Sequence, residues 1–173
     1  IISCEVFLMS ITNRLIVFPE LCTGCRTCEL ICSFTKEKVI NPKLARIRVI
    51  SKWPDYNYPS VCHQCVKAPC LENCPSKAIT KDPATGAVKV DEEKCIGCGA
   101  CIKACPFGAV KLHPDKGVAI ICDLCGGDPA CVKFCVTGAL KFGNIDFLAR
   151  KRGESTASAI MPSLTKIAQR AMR

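Results

Sequence analysis

Short apolar runs rich in β-formers recur along the chain and predict strands: RLIVF over 14–18, AVKV over 87–90 and VAII over 118–121. Each leads into a polar loop. Later in the chain come PSKAIT (75–80), PFGAVK (106–111) and VTGALK (136–141), with alanine at the same offset and an aliphatic residue after it. The unit therefore reads as strand, loop, one or two helical turns, then a return strand, and it repeats. The connection SFTKEKVINPKLARIRVISKWPDYNYPS departs most; it predicts one strand over 45–51 and then a loop bearing proline and tyrosine. Beyond residue 147 the alternation stops. Pro162 is placed to open a short helix over 162–172, with Leu164, Ile167 and Ala168 on one face. Residues 1–8 are apolar but brief, and Met9 is the expected natural start.

What fills the loops is cysteine, 17 of the 173 residues. Sixteen fall into four groups: Cys22, Cys25, Cys28 and Cys32; Cys62, Cys65, Cys70 and Cys74; Cys95, Cys98, Cys101 and Cys105; Cys122, Cys125, Cys131 and Cys135. Cys4 stands apart and reads as a free thiol. Disulfide scaffolds belong to small secreted chains, and no secretory signal pattern is present. Structural zinc pairs two Cys-x2-Cys arms from separate elements rather than triplets followed by x3. Cys-x2-Cys-x2-Cys offers three thiolates from one tight loop to a four-iron–four-sulfur (4Fe-4S) cubane. In bacterial two-cluster ferredoxins the cysteine after x3 serves the other cluster. Groups one and three match that spacing in full; groups two and four carry extra residues between the second and third cysteines. Four clusters are the expected cofactors.

Charge then changes meaning. The chain carries +9, from 24 Lys and Arg against 15 Asp and Glu, which alone suggests an anionic partner such as nucleic acid. Four oxidised clusters with their thiolates add roughly −8, so the loaded protein is nearly neutral. The basic excess compensates buried anions, and neither nucleic acid nor a membrane span is expected. Cytoplasm is the expected location.

Groups two and three are 20 residues apart, from Cys74 to Cys95, and share a Cys-Pro step (Cys74-Pro75, Cys105-Pro106). This favours nesting one module, groups two and three, inside another, groups one and four; pairing one with two and three with four is the alternative. Under nesting the ligand sets are Cys22, Cys25, Cys28 and Cys135; Cys62, Cys65, Cys70 and Cys105; Cys95, Cys98, Cys101 and Cys74; and Cys122, Cys125, Cys131 and Cys32. The expected class is α+β, two bacterial-ferredoxin-like modules in tandem, one nested in the other, with short antiparallel hairpins and short helices around the clusters. Its divisions are an extension over 1–13, an outer module over 14–54 and 118–146, an inner module over 55–117, and a basic tail over 147–173.

Over about residues 14–146 the motifs LCTGCRTCELIC, VCHQCVKAPCLENCP, KCIGCGACIKACP and ICDLCGGDPACVKFC resemble the four-cluster ferredoxin-like electron-transfer subunits of multi-subunit oxidoreductases. VFPELCTGCRTCELICS followed by NPKLARIRV is most similar to the small subunits beside tungsten aldehyde oxidoreductases. The resemblance implies a non-catalytic relay between a tungsten- or molybdenum-pterin subunit and a flavin subunit, a soluble ferredoxin or further copies of the chain. Formate dehydrogenase, carbon monoxide dehydrogenase, hydrogenase and dimethyl sulfoxide reductase complexes are alternative homes. A cluster-stabilised scaffold is the rival class. No phosphate loop, dinucleotide motif or Ser/His/Asp set is visible.

Among the remaining residues, His63 reads as a loop donor, and His113 is not needed as a ligand. Trp53, Tyr56 and Tyr58 read as a capping layer or partner contact, and Lys103 and Lys133 as a solvated helix face.

Overall fold

The computed structural model describes residues 13–144 except 53, together with 146, 147, 149–151, 153, 154, 157 and 158. The expectations for residues 1–12, for Trp53 and for a helix over 162–172 lie outside the described residues.

Eight strands form four two-stranded antiparallel ladders: β1 (Arg14–Val17) with β8 (Leu140–Gly143), β2 (Ile47–Lys52) with β3 (Tyr56–Val61), β4 (Ile79–Lys81) with β5 (Val88–Val90), and β6 (Lys111–Leu112) with β7 (Ala119–Ile120). Four α-helices lie between them: α1 (Thr27–Glu37), α2 (Pro69–Glu72), α3 (Ala100–Ala104) and α4 (Ala130–Lys133). Short helices and short hairpins make this an α+β fold. Each hairpin carries the chain from one cysteine group to the next, and the last strand returns to the first. The Phe18 N–H donates to the Ala139 carbonyl at 2.8 Å and extends that closing ladder.

Two expectations need correction. The segment expected as a loop after residue 51 is strand β3, with Tyr58 opposite Ile50 and Tyr56 opposite Lys52. Pro59 obscured it, because proline breaks a central ladder; in a two-stranded ribbon each strand has an open edge where a missing N–H is tolerated. The long connection is therefore another copy of the hairpin that links groups two, three and four. Its helix also exceeds two turns: α1 runs 11 residues. After Cys32 the sequence continues SFTKE without a proline, whereas the Cys-Pro steps of groups two and three disfavour helix at the cysteine itself. The longer helix stops at Lys38, whose φ of 60° is left-handed and whose N–H donates to the Phe34 carbonyl at 3.0 Å.

Helices of four or five residues have no independent stability. They stay folded by packing: α1 lies against α4 and β2, and α2 against α3. The core mixes aliphatics with thiols. Ile47, Val88, Leu124 and Leu140 are buried with Cys28, Cys62, Cys101, Cys122 and Cys131, and so are the repeat alanines Ala78, Ala109 and Ala139.

Two buried polar side chains tie elements together. Glu29 Oε1 accepts the Val49 N–H at 2.6 Å, fastening α1 to β2. The Gln64 amide bridges the second and fourth cysteine loops: Oε1 accepts the Val88 N–H at 2.7 Å and Nε2 donates to the Cys122 carbonyl at 2.6 Å. Removing that amide leaves two buried backbone groups unpaired, at a cost of about 2–4 kcal/mol. Gln64→Leu should therefore bleach at clearly lower guanidinium concentration than the unaltered chain, followed by visible absorbance without oxygen. An unchanged midpoint would show that the bridge carries no stability.

Candidate metal centres

The cysteine loops are built from left-handed backbone. Gly24, Gly97, Gly99 and Gly126 have φ between 67° and 74°, and Arg26 and Cys125 join them at 59° and 51°. Such turns aim successive N–H groups inward and suit an anionic object. Two glycines are also fixed by neighbours. A Cβ on Gly97 would run into the Gly117 carbonyl oxygen, and one on Gly24 would lie 2.6 Å from Asn57 Oδ1, where β3 crosses the first loop.

The sixteen described cysteines are all free thiols. The structure draws them together across group boundaries. One space is lined by Cys95, Cys98 and Cys101 with Cys74 of the preceding group. A second is lined by Cys122, Cys125 and Cys131 with Cys32 of the first group. Around Cys62 the charges that act on it belong to Cys70, Cys65 and Cys105. Around Cys28 they belong to Glu29, Cys25 and Cys22. The helix α4, which ends two residues before Cys135, packs on α1, which carries Cys28 and Cys32.

Burial is the leading influence on the inner thiols. It pushes Cys62, Cys28 and Cys122 up to about 12, with neighbouring thiolate and carboxylate charge adding to the rise. Cys131 moves the same way, by burial first and then by Cys122, Cys32, Cys125 and Cys28. A thiolate persists in such surroundings at neutral pH when a metal supplies the compensating positive charge. Fixed donors already wait on some sulfurs: the Arg46 N–H lies 3.2 Å from Cys32 Sγ and the Ala119 N–H 3.3 Å from Cys95 Sγ. Ser76 and Thr137, each two residues past a fourth cysteine, place hydroxyl oxygens 3.7 Å from Cys74 Sγ and Cys135 Sγ.

Zinc held by four thiolates at ~2.3 Å would bring the sulfurs within about 4 Å of one another. Among the described residues no three Cys, His, Asp or Glu side chains converge closely enough to hold a single ion. Four cysteines from two groups that line one space without closing on a single point instead fit a polynuclear core.

Residues 55–145 match the 4Fe-4S dicluster domain and residues 19–35 a 4Fe-4S binding domain. The chain belongs to the 4Fe-4S dicluster family. Its cofactors are 4Fe-4S clusters, and sixteen cysteines are the complement that four clusters require. The polyferredoxin-like subunit of aliphatic sulfonate oxidoreductase from Pyrococcus furiosus is 48% identical over 114 residues, 66% of this chain and 66% of that one. Electron transport protein HydN of Escherichia coli is 38% identical over 65% of this chain and 76% of its own length. The B subunit of the anaerobic dimethyl sulfoxide reductase of E. coli is 38% identical over 82% of this chain and 78% of its own. A solved benzoyl coenzyme A reductase active-site complex (BamBC with benzoyl-CoA) contains a polypeptide 25% identical over 90% of this one and 97% of its own length; its TM-score of 0.46 is too low to carry an argument.

Other sequence candidates sit at the margins. The His63 ring stacks on Phe107 with centroids 4.1 Å apart. His113 is buried, its Nδ1 accepting the N–H groups of Asp115 and Lys116 at 3.2 Å. Lys103 is exposed, and Lys133 pairs with Asp128 at the surface. Sequence reasoning missed Arg46 and Lys36, which line the Cys122 space, Asp123, which pairs with Lys36 at 2.6 Å, and Lys81, whose Nζ donates to the Cys65 and Val66 carbonyls. Only the recurrence of lysine in the return strands, at Lys81, Lys111 and Lys141, hinted at the last.

Anoxically prepared protein should contain about sixteen iron and sixteen acid-labile sulfide per chain. A reproducible value near twelve of each would mean that one group holds no cluster. Chelating the iron should unfold the chain, seen as loss of the far-ultraviolet signal, because the thiol-lined core has too little apolar area to stand alone.

Proposed function

We propose that this chain is a non-catalytic electron-transfer subunit that relays electrons through four 4Fe-4S clusters, between a catalytic oxidoreductase subunit and a further acceptor or donor. Each cluster supplies a reversible one-electron site. The observation that carries the reading is the continuity of the thiols. Cys32 lines one space with Cys122, Cys125 and Cys131, Gln64 of the second loop holds the Cys122 carbonyl at 2.6 Å, and Cys74 lines one space with Cys95, Cys98 and Cys101. Each cysteine group thus meets the next, as a wire requires. A scaffold needs no such continuity.

The ligand sets we assign are those expected from the sequence. Cys95, Cys98, Cys101 and Cys74 form one, and Cys122, Cys125, Cys131 and Cys32 another; the two four-cysteine spaces support them. Cys62, Cys65, Cys70 and Cys105 form a third, supported by their mutual influence. Cys22, Cys25, Cys28 and Cys135 form the fourth, supported by the β1–β8 ladder and the α1–α4 packing. Nesting of an inner module over 55–117 within an outer one over 14–54 and 118–146 follows from these sets. The order along the line is then the Cys22 set, the Cys122 set, the Cys62 set and the Cys95 set. Cys25 and Cys98 are the two exposed cysteines among the described residues, one in each terminal set, and Ile96 beside Cys98 is 69% exposed. Those two loops are where outside redox centres would approach.

For the partner we propose a tungsten- or molybdenum-pterin oxidoreductase subunit, on the resemblance of the first cysteine group and its flanks. Subunit status itself is supported by the relatives from sulfonate oxidoreductase, dimethyl sulfoxide reductase and formate hydrogenlyase. No helix among the described residues is long and apolar enough to cross a membrane, and cytoplasm remains our proposal for its location.

Ligand exchange between groups is directly testable. Cys74→Ala and Cys95→Ala should alter the same cluster's electron paramagnetic resonance signal, although they come from different groups. If Cys74→Ala instead damages the cluster held by Cys62, Cys65 and Cys70, the assignment is wrong. The relay itself predicts that all four clusters reduce and reoxidise reversibly when the co-purified catalytic subunit turns over. Clusters that stay in one state throughout would make the chain a scaffold.

A further inference from the structure

One guanidinium nitrogen has no partner. Nη1 of Arg46 is buried without a hydrogen bond, the one such side-chain atom among the described residues. The rest of the residue is pinned. Arg46 Nη2 donates to Glu37 Oε1 at 2.9 Å, and the backbone N–H reaches Cys32 Sγ at 3.2 Å. Glu37 is held in turn, with Oε2 at 3.9 Å from His113 Nε2 and 4.0 Å from Lys116 Nζ. A guanidinium is a rigid planar fork, so fixing Nη2 fixes the direction of Nη1 as well. A buried donor left unmade costs free energy, more so on a charged group. Arg46 lines the space bounded by Cys32, Cys122, Cys125 and Cys131.

The other charged groups on that space cancel, since Lys36 and Asp123 form an ion pair at 2.6 Å. Glu37, which balances Arg46, is not part of the lining. The lining therefore presents one guanidinium with a spare N–H, its counter-ion Glu37 set back from the space. The comparable space around Cys95 has no charged residue in its lining.

We propose that Arg46 Nη1 donates a hydrogen bond to sulfur of the cluster held by Cys32, Cys122, Cys125 and Cys131, and that Arg46 thereby raises that cluster's reduction potential. The inference rests on the cluster reading above. Reduction adds one electron and one unit of negative charge to the cluster while no bond breaks. A fixed positive donor stabilises the reduced form more than the oxidised one. Glu37 is the positioning residue: it holds the fork so that Nη1 faces sulfur.

Two measurements test this on the full, cluster-loaded chain. With isotopically labelled guanidinium nitrogens, pulsed electron paramagnetic resonance of the reduced protein should detect nitrogen coupling to one cluster, lost in Arg46→Lys. Absence of that coupling in the unaltered chain overturns the proposal without recourse to a variant. In redox titrations, Arg46→Gln should lower one cluster's one-electron reduction constant at least about tenfold, a shift of ~59 mV. The other three clusters should hold their values, and Arg46→Lys should recover most of the loss. Full iron content with four unshifted potentials also overturns the proposal. An unaltered chain that binds no iron fails the cluster reading itself, and iron analysis separates that result from the other two.

Discussion

A thiolate removed from water needs a cation beside it, and this chain removes many. The thiols of Cys28, Cys62 and Cys122 are pushed up to about 12 by burial and by the negative groups around them. Without metal the interior would hold protonated thiols, set among buried aliphatics, around the spaces that their loops enclose. With iron present, the same cysteines become anchors that pull four- and five-residue helices into place. Cofactor binding and folding are then a single event. The lysine and arginine excess belongs to the same balance, since each cluster leaves net negative charge on a body that is cationic as a bare chain.

The repeat solves the packing problem with one motif used four times. Each antiparallel hairpin hands the chain from one cysteine loop to the next, and alanine follows each of the last three loops at the same place. Ala78, Ala109 and Ala139 are buried, where a larger side chain would have to displace its neighbours. Left-handed glycines fix the loops, and hydroxyls or backbone N–H groups meet some of the sulfurs. Affinity for the clusters is thus spread over backbone geometry as much as over the cysteines.

The sequence made the centres more legible than the frame. Cysteine spacing carries chemical meaning with little tertiary context, so the four groups and the strands at 14–18 and 87–90 could be read directly. Strand β3 could not, because Pro59 and the tyrosines of YNYPSV speak for a loop and only pairing with β2 makes them a strand. The bridges made by Gln64 and Glu29 were equally hidden. A glutamine in a cysteine loop and a glutamate early in a helix look solvated until the long-range partner is known. By its pattern Arg46 belongs to a strand beginning at 45; the strand begins at Ile47, which frees Arg46 to turn inward.

The ladder between β1 and β8 has a consequence for the order of events during synthesis. Arg14–Val17 emerges from the ribosome well over a hundred residues before its ladder partner Leu140–Gly143. The hairpins β2–β3, β4–β5 and β6–β7 close locally as they appear, whereas β1 waits with an open edge through all of them. Contacts of such separation form slowly. The first cysteine loop, directly behind β1, is consequently the one left longest without its finished surroundings, and iron delivered there early would meet an incomplete cradle.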